Sequence, residues 1–378
     1  MRKSHQIADR MGLLDASGIR KVFDLAARMK DPINFSIGQP DFDVPDPLKN
    51  VAIEAIRAGN NKYTQTQGTE ALLAALADSC RQEFGWRDPY RGETSGERGY
   101  LVTSGTSGAL LLAILTLVNA GDEVVFADPY FVMYKHLVNL AGGVPVAVDT
   151  YPDFRPSPQK FADAITDRTR LLILNSPCNP NGAVYSKEEL QEIARIAAKR
   201  DLLVISDEIY NLFCYDRPFV SMAGLYDNTL LLRGFSKSHA MTGWRVGWCT
   251  GPKPILDKMT MLQQYTFVCA PSMAQAACVA ALKTDMTAAA EAYRRKRDRV
   301  FAALSGPFGL VKPEGAFYAF VPAPGGDATA FVRRAIENNV LLIPGNVFSG
   351  RDTHFRLSYA TTDEKIRQGL EILVRLAR

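Results

Sequence analysis

Lys237 follows an apolar run at 229–233, in the sequence GFSK. A lysine in a dry pocket near other cations loses its proton readily and attacks carbonyl carbon; a lysine in water does neither, and position alone does not separate the two. Arg245, eight residues on in GWRVGW, is either a structural ion-pair partner or a planar fork for phosphate oxygens. Asp207 ends another apolar run, where a carboxylate either caps a turn or pairs with a protonated ring nitrogen of a pyridine cofactor. Tyr210 stands three residues further on and brings a phenol to the same place. Asn179 in PCNPNG serves a turn or a ligand. SGTSG at 104–108 is a small-residue loop whose N–H groups, with the hydroxyls of Thr106 and Ser107, suit a phosphate or simply cap a helix.

These residues need elements that bring them together. Short Val-, Ile- and Leu-rich runs at 99–103, 123–127, 144–149, 170–175, 202–206, 229–233 and 245–250 read as strands buried on both faces. Helical patterns lie between several of them, at 108–119, 130–141 and 187–199, the last with a capping box from Ser186 and Glu189. The alternation predicts an α/β fold: a large domain with a mostly parallel central sheet flanked by helices. A long helix at 271–305, short strands at 316–321, 340–343 and 355–359 and a final helix at 363–376 predict a smaller α/β domain. A helix at 17–30 precedes the turn-rich GQPDFDVP, and 87–98 reads as a surface loop. The expected division is 1–40 packing with the small domain, 41–275 and 276–378. In such sheets ligands bind beyond the carboxyl ends of the strands. SGTSG, DPYF, SPCNPNG, DEIY and GFSK all fall there.

Composition narrows the class. The 378 residues are 47% hydrophobic and 22% charged, with net charge +4, too small to suggest nucleic acid. The basic cluster from Arg294 to Arg299 reads as a solvated helix face. Six cysteines without a CxxC pair read as buried thiols, and four scattered histidines predict no metal site. The opening MRKSHQIADRMG lacks the apolar stretch of a secretory signal, and the apolar run 109–118 is too short to span a bilayer, so no membrane and a cytoplasmic location are expected. Neither G-x-G-x-x-G nor GxxxxGK[ST] occurs.

The ordered set NP-x-G, DE-x-Y and SK-x7-R resembles the class I/II aminotransferases, the aspartate-aminotransferase-like enzymes of pyridoxal phosphate fold type I. YTQTQG at 63–68, GDEVVFADPYFVMY at 121–134, PEGAFY at 313–318 and FRLSYA at 355–360 extend the likeness almost end to end. The resemblance implies pyridoxal 5'-phosphate bonded to Lys237, its ring nitrogen paired with Asp207 and its phenolic oxygen held by Asn179 and Tyr210. It implies Phe131 stacked on the ring. It places the phosphate on Gly105, Thr106, Ser107, Ser236 and Arg245, with Tyr63 reaching in from the second subunit of a homodimer. Arg356 would grip the substrate carboxylate, with Gly38 and Asn179 on the substrate side. The implied reaction is ping-pong transfer of an amino group between an L-amino acid, aspartate or aromatic, and a 2-oxo acid such as 2-oxoglutarate. β-Elimination from cysteine conjugates would use the same residues, and a cofactor-binding regulator is the remote alternative.

The chain departs from the family pattern at Gly234, where many relatives carry a phosphate-binding Ser, at Asn181 in place of Thr, and at Leu72-Leu73 in place of Leu-Arg. Ser17, Ile19, His239 and Tyr265 are candidate contributors to side-chain selectivity.

Overall fold

A computed structural model describes residues 7–14, 18, 22, 29–87 and 98–378. Most of the expected helix at 17–30, including Ser17 and Ile19, and residues 88–97 of the expected loop lie outside the described residues. The first strand, β1 (Ile33–Asn34), belongs to a small sheet taken up below.

The apolar runs form one seven-stranded sheet from β2 (Arg98–Thr103), β3 (Glu123–Asp128), β4 (Val144–Asp149), β5 (Thr169–Asn175), β6 (Leu203–Asp207), β7 (Thr229–Gly234) and β8 (Gly247–Pro252). Their order is β2-β8-β7-β6-β5-β3-β4. All are parallel except β8, which runs against both β2 and β7. Leu172, Val204 and Leu231 point to one face of the sheet, Leu171, Ile205 and Leu230 to the other, and all six are fully buried. Each such side chain contributes about 1.5–3 kcal/mol relative to exposure, which is why strict alternation is missing from the sequence.

Helices cover the sheet: α1 (Asp46–Arg57), α2 (Glu70–Phe84), α3 (Gly105–Leu117), α4 (Met133–Leu140), α5 (Pro158–Ala164), α6 (Lys187–Lys199), α7 (Lys253–Gln264) and α8 (Ser272–Ala281). The capping box of α6 is present: Glu189 N–H donates to Ser186 Oγ at 3.2 Å, and Ser186 N–H to Glu189 Oε2 at 2.7 Å. The helix expected at 108–119 starts earlier, so the SGTSG loop is the first turn of α3. The expected strand at 245–250 starts at Gly247, and Arg245 sits before it with φ 56° and ψ 48°.

The expected helix at 271–305 is two helices, α8 and α9 (Thr287–Phe308). Asp285 separates them by accepting the Thr287 N–H at 2.9 Å and the Thr287 hydroxyl. The basic cluster on α9 is not wholly solvated. Arg297 is 1% exposed, clamped bidentately by Asp216 at 2.8 and 2.9 Å and bonded to the Pro313 carbonyl. A buried guanidinium needs such partners, and periodicity could not reveal Asp216 across the fold.

The remaining elements are β9 (Tyr318–Pro322), α10 (Ala328–Glu337), β10 (Val340–Leu341), β11 (Ile343–Pro344), β12 (His354–Ser358) and α11 (Asp363–Leu376). β9, β12 and β11 form an antiparallel sheet, and β1 pairs in parallel with β10. Phe35 joins Tyr293, Phe317, Phe331 and Phe355 in the core beneath. Cys80, Cys178, Cys249 and Cys278 are buried free thiols, while Cys214 and Cys269 are partly exposed.

Candidate active site

The carboxyl ends of the parallel strands are in register. Asn175 of β5 lies opposite Asp207 of β6, and Gly247 opposite both Thr103 of β2 and Gly234 of β7. Because β8 is reversed, its beginning shares this edge with the ends of its neighbours. A cavity of about 420 Å³ opens there, lined by Gly38, Thr106, Ser107, Phe131, Asn175, Asn179, Asp207, Ile209, Tyr210, Ser236, Lys237, Thr242, Arg245, Tyr318 and Arg356 among others.

Lys237 Nζ donates to the Gly38 carbonyl at 2.6 Å. Burial, with the nearby cations Arg356 and Arg245, lowers its pKa to about 8 against the pull of Asp207. It is therefore partly unprotonated near neutrality, as a nucleophile toward carbonyls must be. Burial pushes the Asp207 carboxyl up to about 6. Its Oδ2 accepts from the Tyr134 hydroxyl at 2.7 Å. Asn175 ties the neighbourhood together, donating to the Asp207 carbonyl at 2.9 Å and accepting the Asn179 N–H at 2.9 Å.

Arg356 is 1% exposed. Its Nη1 donates to Asn179 Oδ1 at 3.1 Å and its Nη2 to the Ser36 carbonyl at 2.6 Å. Its Nε is buried without a partner. Among the described residues no carboxylate pairs with it. The guanidinium instead lies 4.7 Å from the ring centres of Tyr318 and Phe348. A buried cation held only by neutral groups favours an incoming anion.

At the other end, Gly105 has φ +66°, and a Cβ on it would come 2.6 Å from Arg245 Nη2. The left-handed backbone and the short approach to that guanidinium both favour glycine at the first turn of α3. Arg245 donates to the carbonyls of Thr242 at 3.0 Å and Ser104 at 3.2 Å. Thr106, Ser107 and buried Ser236 complete the rim. The first-turn N–H groups of α3 and Arg245 together make an anion-binding end.

Tyr63 stands outside this cavity and is 85% exposed. Of the selectivity candidates, His239 is buried beside Phe235 and Tyr265 is 83% exposed, and neither lines the cavity. Sequence reasoning missed Tyr134, Asn175, Ser36 and Tyr318. Two of these are tyrosines inside apolar motifs, where core packing is the ordinary reading. Among the described residues no three His, Cys, Asp or Glu side chains gather as a metal site needs. No helix among them is long and apolar enough to cross a membrane.

The family model for aminotransferase class I and II matches residues 30–373. The chain belongs to that family. An aspartate aminotransferase of Pyrococcus abyssi is 36% identical, with 98% of each chain covered. An aromatic-amino-acid aminotransferase of Thermococcus litoralis is 35% identical over 97% of this chain and 96% of that one. The solved aspartate aminotransferase of Thermus thermophilus with maleate superposes with TM-score 0.92 at 35% identity and full coverage of both chains.

The three departures from the aminotransferase pattern have local accounts. A Cβ at Gly234 would come 3.1 Å from Gly247 Cα and 3.3 Å from both Ile209 Cδ1 and the Val246 carbonyl, so β7 and β8 leave a side chain little room. Asn181 Oδ1 accepts the Ala183 N–H at 2.9 Å, closing the turn itself. Leu72 and Leu73 are buried in the core.

Proposed function

We propose that this aminotransferase exchanges amino groups between an L-amino acid, aspartate or aromatic, and a 2-oxo acid such as 2-oxoglutarate by a ping-pong cycle, using pyridoxal 5'-phosphate. The observation that carries it is the buried, carboxylate-free Arg356 lining the same cavity as an amine held near pKa 8, with an anion-binding helix start at the other end. The names of the relatives support both donor classes.

The residues fit the cofactor. Gly105, Thr106, Ser107, Ser236 and Arg245 would hold its phosphate, with Tyr63 of a second copy. Asp207 would pair with the ring nitrogen, Asn179 and Tyr210 with the phenolic oxygen, and Phe131 would stack on the ring. Lys237 would carry it covalently. When bound, it supplies a pyridine ring that draws electrons away from the substrate Cα. Arg356 orients the substrate by its carboxylate. Once the substrate amine has displaced it, Lys237 Nζ would take the Cα proton and return it on the far side of the substrate nitrogen, to the cofactor's exocyclic carbon, as general base and then general acid. Phe131, Ile209 and Tyr318 keep water from the reacting atoms. A homodimer is part of the proposal, supported by the exposure of Tyr63 and Tyr265. So is the division into a unit at 41–275 and a smaller one at 276–378, which the pairing of β1 with β10 extends to the strand before residue 41.

A half-reaction screen tests the function. Each amino acid is added alone, and loss of the cofactor's visible band is followed with release of the matching oxo acid. Aspartate or an aromatic amino acid is expected to react fastest; a band that no amino acid changes would overturn the proposal. Arg356→Leu is expected to raise KM roughly 30- to 100-fold for every amino acid substrate, since buried charged hydrogen bonds are lost. An increase confined to one substrate would show that the carboxylate binds elsewhere.

A further inference from the structure

We propose that Tyr318 is a positioning residue that couples the substrate-carboxylate end of the cavity to the group that would hold the cofactor's phenolic oxygen: its hydroxyl fixes the direction in which Tyr210 donates, and its ring supports Arg356. The inference rests on the function proposed above. Tyr318 is 1% exposed and lines the cavity from β9. Its Oη lies 2.8 Å from Tyr210 Oη, with the rings edge to face.

Each phenol carries one proton and accepts through its oxygen. If Tyr210 donates to the cofactor's phenolic oxygen, the bond between the two hydroxyls has one sense only: Tyr318 donates and Tyr210 accepts. That polarises the Tyr210 O–H and makes it the stronger donor. The Arg356 guanidinium carbon lies 4.7 Å from the same ring's centre, the contact of a cation over a π face. Gly38 makes room for the hydroxyl, because a Cβ there would lie 2.3 Å from Tyr318 Oη. Core packing against Phe317, at 4.8 Å between ring centres, would be served by phenylalanine and needs no cleared space for a hydroxyl. One side chain thus touches the carboxylate-binding cation, the phenol and the glycine whose carbonyl holds Lys237.

The test compares Tyr318→Phe, which keeps the ring, with Tyr318→Leu, which loses it, in the cofactor-loaded enzyme. A weaker Tyr210 donor leaves more charge on the phenolic oxygen and raises proton affinity beside it. Tyr318→Phe is expected to move the pH midpoint of the bound cofactor's visible absorption upward by roughly half a unit, with KM for the amino acid within about twofold of wild type. Tyr318→Leu is expected to show the same spectral shift and a KM raised roughly five- to tenfold. Gly38→Ala, which crowds the hydroxyl, should shift the midpoint in the wild type and add nothing in the Tyr318→Phe background. A Tyr318→Phe enzyme that titrates like wild type, or a Tyr318→Leu enzyme with unchanged KM, overturns the inference and leaves the proposed function standing. A wild type without any cofactor band overturns both.

Discussion

Lys237→Ala is expected to lower kcat by roughly 10⁴-fold or more and to abolish the visible band of bound pyridoxal phosphate. Two roles fall on one nitrogen, covalent attachment of the cofactor and transfer of the Cα proton, and among the described residues no second lysine lines the cavity to take over. Absorbance after gel filtration and single-turnover kinetics measure the two losses separately. The same nitrogen sets a pH dependence. Burial and the flanking guanidinium groups hold it near pKa 8, so its reactive neutral form grows as the pH rises through that value. Loading of cofactor-free protein with pyridoxal phosphate should quicken over that interval and level off above it. Turnover that survives in the alanine variant would remove Lys237 from the mechanism.

Asp207→Asn is expected to act in opposite directions on catalysis and on stability. With cofactor bound, losing the counter-charge to the ring nitrogen should lower kcat roughly 10²- to 10³-fold. In the cofactor-free protein the carboxyl is a burden. Burial raises it to about 6, above the ordinary 3.8, against the smaller pull of the Tyr134 hydroxyl, the Ile209 N–H and Lys237. The folded state then binds the proton more tightly than the unfolded chain, so stability falls as the pH rises from 3.8 to about 6 and stays low above that. Asparagine keeps an oxygen for Tyr134 and carries no charge. The cofactor-free variant should therefore be more stable than wild type near neutral pH by on the order of 2 kcal/mol, with the gap closing below about pH 4. Urea titrations at the two pH values measure it. No gain at neutral pH would mean that the carboxylate is well solvated or paired in the cofactor-free fold.

What was legible in the sequence was what local chemistry writes there. Leu171 with Leu172 and Leu230 with Leu231 mark strands because burial on both faces demands apolar residues at every position, and Asn179, Asp207 and Lys237 then fall at strand ends. Ser186 and Glu189 announce α6 because a capping box is complete within four residues. Illegible features depend on partners far along the chain. Tyr134 meets Asp207 across 73 residues, and Tyr210 meets Tyr318 across 108. A tyrosine in an apolar stretch carries no mark of what its hydroxyl will reach. Arg297 looked like its solvated neighbours because Asp216 lies 81 residues away. The break between α8 and α9 turns on one aspartate, Asp285, whose side chain competes with the helix for a backbone N–H.

The reversed direction of β8 makes the seven residues between Lys237 and Arg245 a ruler. Both ends of that segment are fixed to one edge of the sheet, the lysine past the end of β7 and the arginine just ahead of β8. An inserted residue there would slide the arginine away from Gly105 while leaving the lysine in place, uncoupling phosphate grip from amine chemistry. At the opposite edge of the sheet β7 and β8 are not joined to each other: residues 225–228 lead into β7, and Pro252 leads straight into α7. The sensitivity of this segment to insertion is thus set by strand polarity before any side chain is considered.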